Sequence, residues 1–418
     1  MIAENMQEMV LGNSVIRSMF EEGKKLKELY GEDKVFDFSL GNPNLPPPIA
    51  ISRALFETLD EELPEKLHGY MSNAGFDETR KAVADDLNGR YGTHYDASNV
   101  IMTAGAAMAL NIALRALLDI GDEVIVFAPY FVEYSNYIGN YKAKTIEIRV
   151  REDRDFLPDP ADLERAVTPR TKAVIVNSPN NPTGVVYPKE LLASLAEVLK
   201  KKEDEYGHAI YIISDEPYRE LIYDETMFCH IPGIYDDSLV CYSYSKSMSL
   251  PGDRIGYLLV PSASDEFEKF RNAAVIANRI SGCVNAPSVI QLALARALNV
   301  KGLSAAKDAR DFYGENGRKL FKNLIELGYE CLKPQGAFYL WVKVPGVSER
   351  KQSFGESDKS SVLIAETEFV NTLRDENILV TPGSAFACPG YVRIAYCASP
   401  LAMELSKDGF KRAMEKCR

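Results

Sequence analysis

The stretch SYSKSMSLPGDRIGY, Ser243–Tyr257, joins two apolar runs, SLVCY (238–242) and IGYLLV (255–260). Between them lie three serines around Lys246, a Pro-Gly turn, and Arg254 just before the second run. Two cations at the mouth of buried strands call for an anion, or for chemistry. A lysine at a strand end is ordinarily a solvated charge. A desolvated one has a depressed pKa and can serve as a nucleophilic amine toward carbonyls. Arginine adds a planar fork that suits phosphate.

Working outward, the same arrangement recurs. NVIMT (99–103), EVIVF (123–127), AKTIEIRV (143–150), KAVIVN (172–177), the run around 211–214 and LVCYS (239–243) alternate with helical stretches such as KELLASLAEVLKKKEDEYG (189–207). Continuous apolar strands separated by helices predict an α/β fold with a mainly parallel, doubly covered sheet. Beyond about residue 262 come long helices, then a mixed strand–helix region with AFYLWVKV (337–344), ILVTPGSAF (378–386) and the apolar strand YVRIAY (391–396), closed by a terminal helix, which predicts a smaller α+β domain. The expected division is a large domain over 49–300 and a small domain formed by 1–48 and 301–418. Proline-rich FSLGNPNLPPP (38–48) crosses between them.

Nearly every unusual polar cluster follows a predicted strand: TAGAAM after 103, APYFVEY after 127, SPNNPTG after 177, DEPY after 214 and SYSK after 242. Open α/β sheets bind ligands along that carboxyl edge. Five clusters on one edge predict one large site. The small residues Gly105, Ala106 and Ala107 would let a phosphate approach the free N–H groups of a helix start. SPNNPTGVVY (178–187) reads as a rigid turn that allows a cis bond and aims Asn181 at the crevice. In IISDEPY, Asp215 ends an apolar strand and needs a cationic partner, and Tyr218 faces the same space. Arg393, inside YVRIAY, is either a structural ion pair or a clamp for a substrate carboxylate.

The bulk numbers narrow the function classes. The chain has 418 residues, a formal net charge of −12 and a pI near 5.1, which excludes a general nucleic-acid or anionic-membrane binder. Seven scattered cysteines form no C-x-x-C pair, so neither a disulfide framework nor a metal site is expected, and a reducing cytoplasm fits. The first twenty residues lack the basic end and apolar stretch of a signal peptide, and no apolar run spans a bilayer. No G-x-G-x-x-G or Walker pattern occurs.

Taken in order from LGNPN (40–44) to YVRIAYCAS (391–399), these motifs, with GAFYLWV and TPGSAF, resemble the class I/II aminotransferases. Those are fold-type I enzymes that use pyridoxal 5′-phosphate. The resemblance implies that Lys246 forms the internal aldimine, that Asp215 partners the pyridine nitrogen, and that Tyr218 and Asn181 donate to the ring's phenolic oxygen. It assigns the phosphate to Ser243, Arg254 and the N–H groups of Ala106 and Ala107, with Gly105 in their turn. Phe131 would stack on the ring. Gly41, Asn181 and Arg393 would hold the substrate carboxylate. Tyr70, in HGYMSNAG, resembles a tyrosine lent to the phosphate of a neighbouring subunit, which implies a homodimer.

The implied activity is amino transfer between an L-amino acid and a 2-oxo acid, with β-elimination from cysteine conjugates as the alternative. A non-catalytic regulator on this fold would carry a DNA-binding domain ahead of it. None is expected here, because the pattern begins near residue 41. Two departures bear on substrate. Ala107 stands where some aspartate-type members carry a lysine for the distal carboxylate, and Arg279, in ANRISGCVNAP, lies near a distal arginine of other members without matching its spacing.

Overall fold

The computed structural model describes residues 2–3, 6–7, 9–10, 23–299, 305–347 and 359–417. Most of the stretch read above for a signal peptide lies outside them, as do 301–304 and 348–358 of the expected small domain.

Seven strands build the larger sheet: β2 (Val100–Thr103), β3 (Glu123–Ala128), β4 (Lys144–Arg149), β5 (Thr171–Asn177), β6 (Tyr211–Asp215), β7 (Ser238–Ser243) and β8 (Gly256–Leu259). Their order is β2-β8-β7-β6-β5-β3-β4. All neighbours run parallel except β8, which is antiparallel to both β2 and β7. The α/β expectation and each of the seven strands are thus present, with ends shifted by a residue or two.

Apart from the half-exposed edge strand β4, alternate residues of these strands feed different cores, which is why their sequences read as nearly unbroken apolar runs. Val124, Val126, Ile213 and Leu239 pack against the helices Ala106–Leu117 and Phe267–Ile280 on one face. Ile125, Phe127, Val174 and Ile212 pack against the helix Lys189–Tyr206 on the other. That helix begins after Pro188 and stops at Gly207, whose φ of 72° lies in the left-handed region glycine tolerates.

The antiparallel β8 decides where the second cation goes. Its first residue, Gly256, pairs with both Thr103 and Ser243, the last residues of β2 and β7. A strand that starts where its neighbours end brings Arg254 to the carboxyl edge. The approach there is close: a Cβ on Gly256 would sit 2.3 Å from the Tyr242 carbonyl and 2.9 Å from Gly105 Cα. Gly256→Ala is therefore expected to destabilise the protein by about 1–3 kcal/mol, read as a lower urea midpoint at unchanged slope.

A second body of structure closes the edge. Strands β9 (Tyr339–Lys343), β11 (Thr381–Pro382) and β12 (Tyr391–Ala395) form an antiparallel sheet in the order β11-β12-β9, while β1 (Phe36–Asp37) pairs with β10 (Ile378–Leu379). The run 378–386, expected within a mixed strand–helix region, is two short strands and a helical turn at Gly383–Phe386. Leu340, Val342, Val392 and Ile394 pack with Phe38, Leu320, Phe369 and Phe410. Arg393 lies between Val392 and Ile394, so the two-residue period turns it away from that core.

Among the described residues no helix is long and apolar enough to cross a membrane. No disulfide joins the seven cysteines.

Candidate active site

The carboxyl edge of the large sheet meets β9 and β12 around a cavity of about 360 Å³. Its wall contains Gly41, Ala106, Ala107, Phe131, Asn181, Asp215, Tyr218, Ser243, Lys246, Arg254 and Arg393, so residues far apart in the chain converge on one space. Gly105 adjoins the wall as the residue that starts the helix Ala106–Leu117; its φ of 83° and the Arg254 guanidinium 2.9 Å from where a Cβ would stand both require glycine.

Lys246 sits in the short helix Tyr244–Ser247 that follows β7. Its Nζ donates to the Gly41 carbonyl at 2.7 Å and lies 5.6 Å from the centre of the Phe338 ring. Burial pushes its ammonium down to about 8; the Cys397 thiol opposes this, and Arg393 and Arg254 reinforce it. Acylation of Lys246 in the coenzyme-free chain, followed by peptide mass spectrometry, is therefore expected to rise with a midpoint near pH 8. Below that pH the amine is protonated and inert. A midpoint near 10.5, the value for an ordinary lysine, would contradict the burial.

Asp215 ends β6 and is buried. Its Oδ2 accepts a hydrogen bond from the Tyr134 hydroxyl at 2.5 Å, while Oδ1 is buried with no partner. Burial raises this carboxyl to about 7, and the Tyr134 bond pulls it partly back. A buried acceptor without a donor is rare in native proteins and asks for a cationic or N–H partner from the cavity. Tyr134 escaped the sequence reading although it belongs to the APYFVEY cluster. Its ring meets Phe131 edge-on at 5.6 Å.

Arg393 is held from three sides. Nη1 donates to Asn181 Oδ1 at 2.9 Å, and Nη2 donates to the Ser39 carbonyl at 2.6 Å and to Thr381 Oγ1 at 3.3 Å. Its guanidinium lies 4.5 Å from the centre of the Tyr339 ring and 4.8 Å from that of Phe386. Its Nε is buried without a partner, and no carboxylate pairs with it among the described residues. A buried, uncompensated guanidinium is costly and is matched by an incoming anion.

Arg254 donates to the carbonyls of Pro251 and Ala104, both at 3.1 Å, beside the Ala106 helix start. The SPNNPTG loop contains two of the chain's cis prolyl bonds, Ser178–Pro179 and Asn181–Pro182. Asn181 is fixed by its own N–H, which donates to Asn177 Oδ1 at 2.7 Å. Tyr218 meets Tyr339 through a hydroxyl–hydroxyl bond of 2.7 Å. Two residues stand apart. Tyr70 is 95% exposed and does not line the cavity of its own chain. Arg279 is exposed in the last turn of the helix Phe267–Ile280, away from the cavity wall.

The comparison with known sequences agrees with this geometry. The sequence model of Aminotransferase class I and II matches residues 33–405. The chain belongs to the class I and II aminotransferases. Membership sets its enzyme class, a pyridoxal-phosphate-dependent aminotransferase. An aspartate aminotransferase of Pyrococcus horikoshii is 31% identical over 414 residues, covering 97% of this chain and 96% of its own. A probable aspartate/prephenate aminotransferase of Thermus aquaticus is 33% identical, covering 83% of this chain and 84% of its own. Among solved structures, an amino transferase from Eubacterium rectale superposes with a TM-score of 0.89 at 38% identity over the whole of both chains. The aspartate aminotransferase from Thermus thermophilus with maleate gives a TM-score of 0.81 at 28% identity, covering 96% of each chain.

Proposed function

We propose that this aminotransferase moves an amino group between an L-amino acid and a 2-oxo acid, with Lys246 as the residue that holds pyridoxal 5′-phosphate through its aldehyde. The observation that carries the reading is the pairing, in one cavity, of a buried carboxylate oxygen without a donor on Asp215 with the desolvated amine of Lys246. The coenzyme supplies an aldehyde to receive the amino group and a cationic ring that draws off the electrons of a breaking Cα–H bond.

The protein's own part is positional and acid–base. Asp215 would keep the ring nitrogen protonated. Ser243, Arg254 and the free N–H groups of Ala106 and Ala107, after the Gly105 turn, would hold the phosphate. Phe131 would cover the ring face, while Tyr218 and Asn181 would donate to the phenolic oxygen. Arg393, backed by Asn181 and the Gly41 backbone, would fix the substrate carboxylate and so aim the Cα–H at Lys246. Once released from the aldehyde by the incoming amine, Lys246 would take that proton and return it, its burial favouring the uncharged form.

The same reading assigns the coenzyme-binding part to 49–300 and the part closing over the substrate to 1–48 and 301–418, in a cytoplasmic enzyme. It also makes the enzyme a homodimer in which Tyr70 reaches the phosphate of the other copy. Support for that comes from the exposure of Tyr70 and of the large apolar side chains Ile49, Phe56 and Leu63 in the preceding helical segment, surface of the kind a second copy covers.

The test is a panel of amino donors against 2-oxoglutarate and pyruvate. Amino transfer with at least one pair is expected; none with any pair would refute the reading. Pyruvate released from a β-substituted alanine without an acceptor would point to elimination instead. Arg393→Ala is expected to raise the KM for every carboxylate substrate by about 100-fold, as expected for losing a buried charge-assisted contact. Steady-state kinetics checks it, and an unchanged KM would remove Arg393 from the carboxylate site.

A further inference from the structure

One cavity residue, inside the GAFYLWV run, is given no role above, yet touches three members of the site. Tyr339 opens β9, is 2% exposed, and lines the cavity. Its hydroxyl lies 2.7 Å from the Tyr218 hydroxyl. Its ring lies 4.5 Å beneath the Arg393 guanidinium. The same hydroxyl excludes any side chain at position 41, where a Cβ would come within 2.1 Å of it. Gly41 in turn offers the carbonyl that accepts from Lys246.

A proton count gives the hydroxyl pair a direction. A phenol carries one proton and can donate once while accepting through its lone pairs. If Tyr218 spends its proton on the cavity, the 2.7 Å contact exists only when Tyr339 donates to it. Burial pushes the Tyr339 hydroxyl up to about 12, partly offset by Arg393, so its proton is present at neutral pH. Donation into Tyr218 polarises that hydroxyl and strengthens the bond it makes onward.

We infer that Tyr339 is a positioning residue whose hydroxyl donates to Tyr218, leaving the Tyr218 proton directed into the cavity, while its ring seats the Arg393 guanidinium. One side chain of the smaller sheet thereby couples the carboxylate clamp to the donor at the coenzyme's phenolic oxygen. The inference rests on the reading of Tyr218 as that donor, and the experiment separates the two.

The holoenzyme's visible absorbance is titrated with pH in the parent, Tyr339→Phe, Tyr218→Phe and the double variant. The charged and titratable groups facing Tyr218 include Tyr339, Arg393, Asp215 and Tyr134, so the single changes leave both ions in place. Losing a donor to a phenolate oxygen raises the apparent pKa of the band, by about one unit for Tyr218→Phe and about half that for Tyr339→Phe. The Tyr339→Phe shift should vanish in the Tyr218→Phe background, because the two act in series. A shift of equal size in both backgrounds, or none in Tyr339→Phe where Tyr218→Phe shifts, overturns the inference. No shift in Tyr218→Phe overturns the underlying assignment of Tyr218, and the inference with it. Kinetics gives a second readout. Tyr339→Phe should lower kcat by about threefold to tenfold and change KM by less than about twofold, since the ring remains. Tyr339→Leu should raise KM by about tenfold through loss of the cation–ring contact, and an unchanged KM there would contradict the seat.

Discussion

Lys246→Ala is expected to lower turnover by about 10⁴-fold and to abolish the visible absorbance that the coenzyme acquires when joined to an amine. Two losses combine in that figure. The variant lacks the base held beside the substrate's Cα–H, a contribution of about 10²–10⁴ in general acid–base catalysis. It also lacks the amine that would hold the aldehyde. The fold should survive. Among the described residues Lys246 makes one hydrogen bond, to a backbone carbonyl, and no ion pair, and burial disfavours its charged form. Stopped-flow single-turnover kinetics and an absorbance spectrum check both parts. Retained colour would contradict the assignment even if the rate fell.

The second large effect is at Asp215. Asp215→Ala is expected to cut turnover by about 10²–10³-fold, the range for removing one preorganised charge partner of a transition state. The cause is electronic: an unprotonated ring nitrogen is a poor acceptor for the electrons of the Cα–H bond. A coenzyme analogue with a fixed positive charge at that nitrogen should therefore restore part of the loss. Stability should move the other way. In the coenzyme-free chain burial raises this carboxyl to about 7, so its ionised form costs folding free energy above that pH. The sign follows from linkage. The folded state binds the proton more tightly than the unfolded chain does, so stability falls as pH rises from the unfolded pKa toward 7 and is lower above it. Asp215→Asn should flatten that slope in denaturant titrations between pH 4 and 7, while an unchanged slope would contradict the burial of the charge.

How much of this was legible in the sequence depends on how far apart the interacting residues lie. Six of the seven strands were readable because each is buried along almost its whole length in a near-continuous apolar run, whereas the half-exposed edge strand β4 was readable only from its β-branched Thr145, Ile146 and Ile148. The carboxyl-edge rule then gathered Asn181, Asp215, Ser243 and Lys246 without any tertiary information. The antiparallel entry of β8 was not readable, since nothing local distinguishes a strand that enters a sheet backwards. Yet it is what brings Arg254 to the same edge. Tyr134 and Tyr339 were missed for a related reason. Each acts on a partner remote in the chain, 81 residues away at Asp215 and 121 residues away at Tyr218, and an aromatic in an apolar stretch reads as core. The break within 378–386 falls at Pro382 and Gly383, a local turn signal that the reading passed over, and Phe386 then packs against Trp341 with rings 6.1 Å apart.

Substrate range turns on the same geometry. Within one chain the cavity wall carries three cations, Lys246, Arg254 and Arg393, each with a task in the proposed reaction, and the methyl side chain of Ala107 offers no charge to a second carboxylate. In the proposed reaction Arg393 would take the carboxylate common to all amino acids, and Tyr339 would tie that clamp to the reaction centre.

The most direct test traps the coenzyme on its lysine. The native holoenzyme is reduced with borohydride, digested, and its peptides are sequenced by mass spectrometry. A pyridoxyl group on Lys246, within the peptide that spans Ser243–Arg254, is the expected result. Attachment to a different lysine, or no attachment to protein after the coloured enzyme is reduced, would contradict the account.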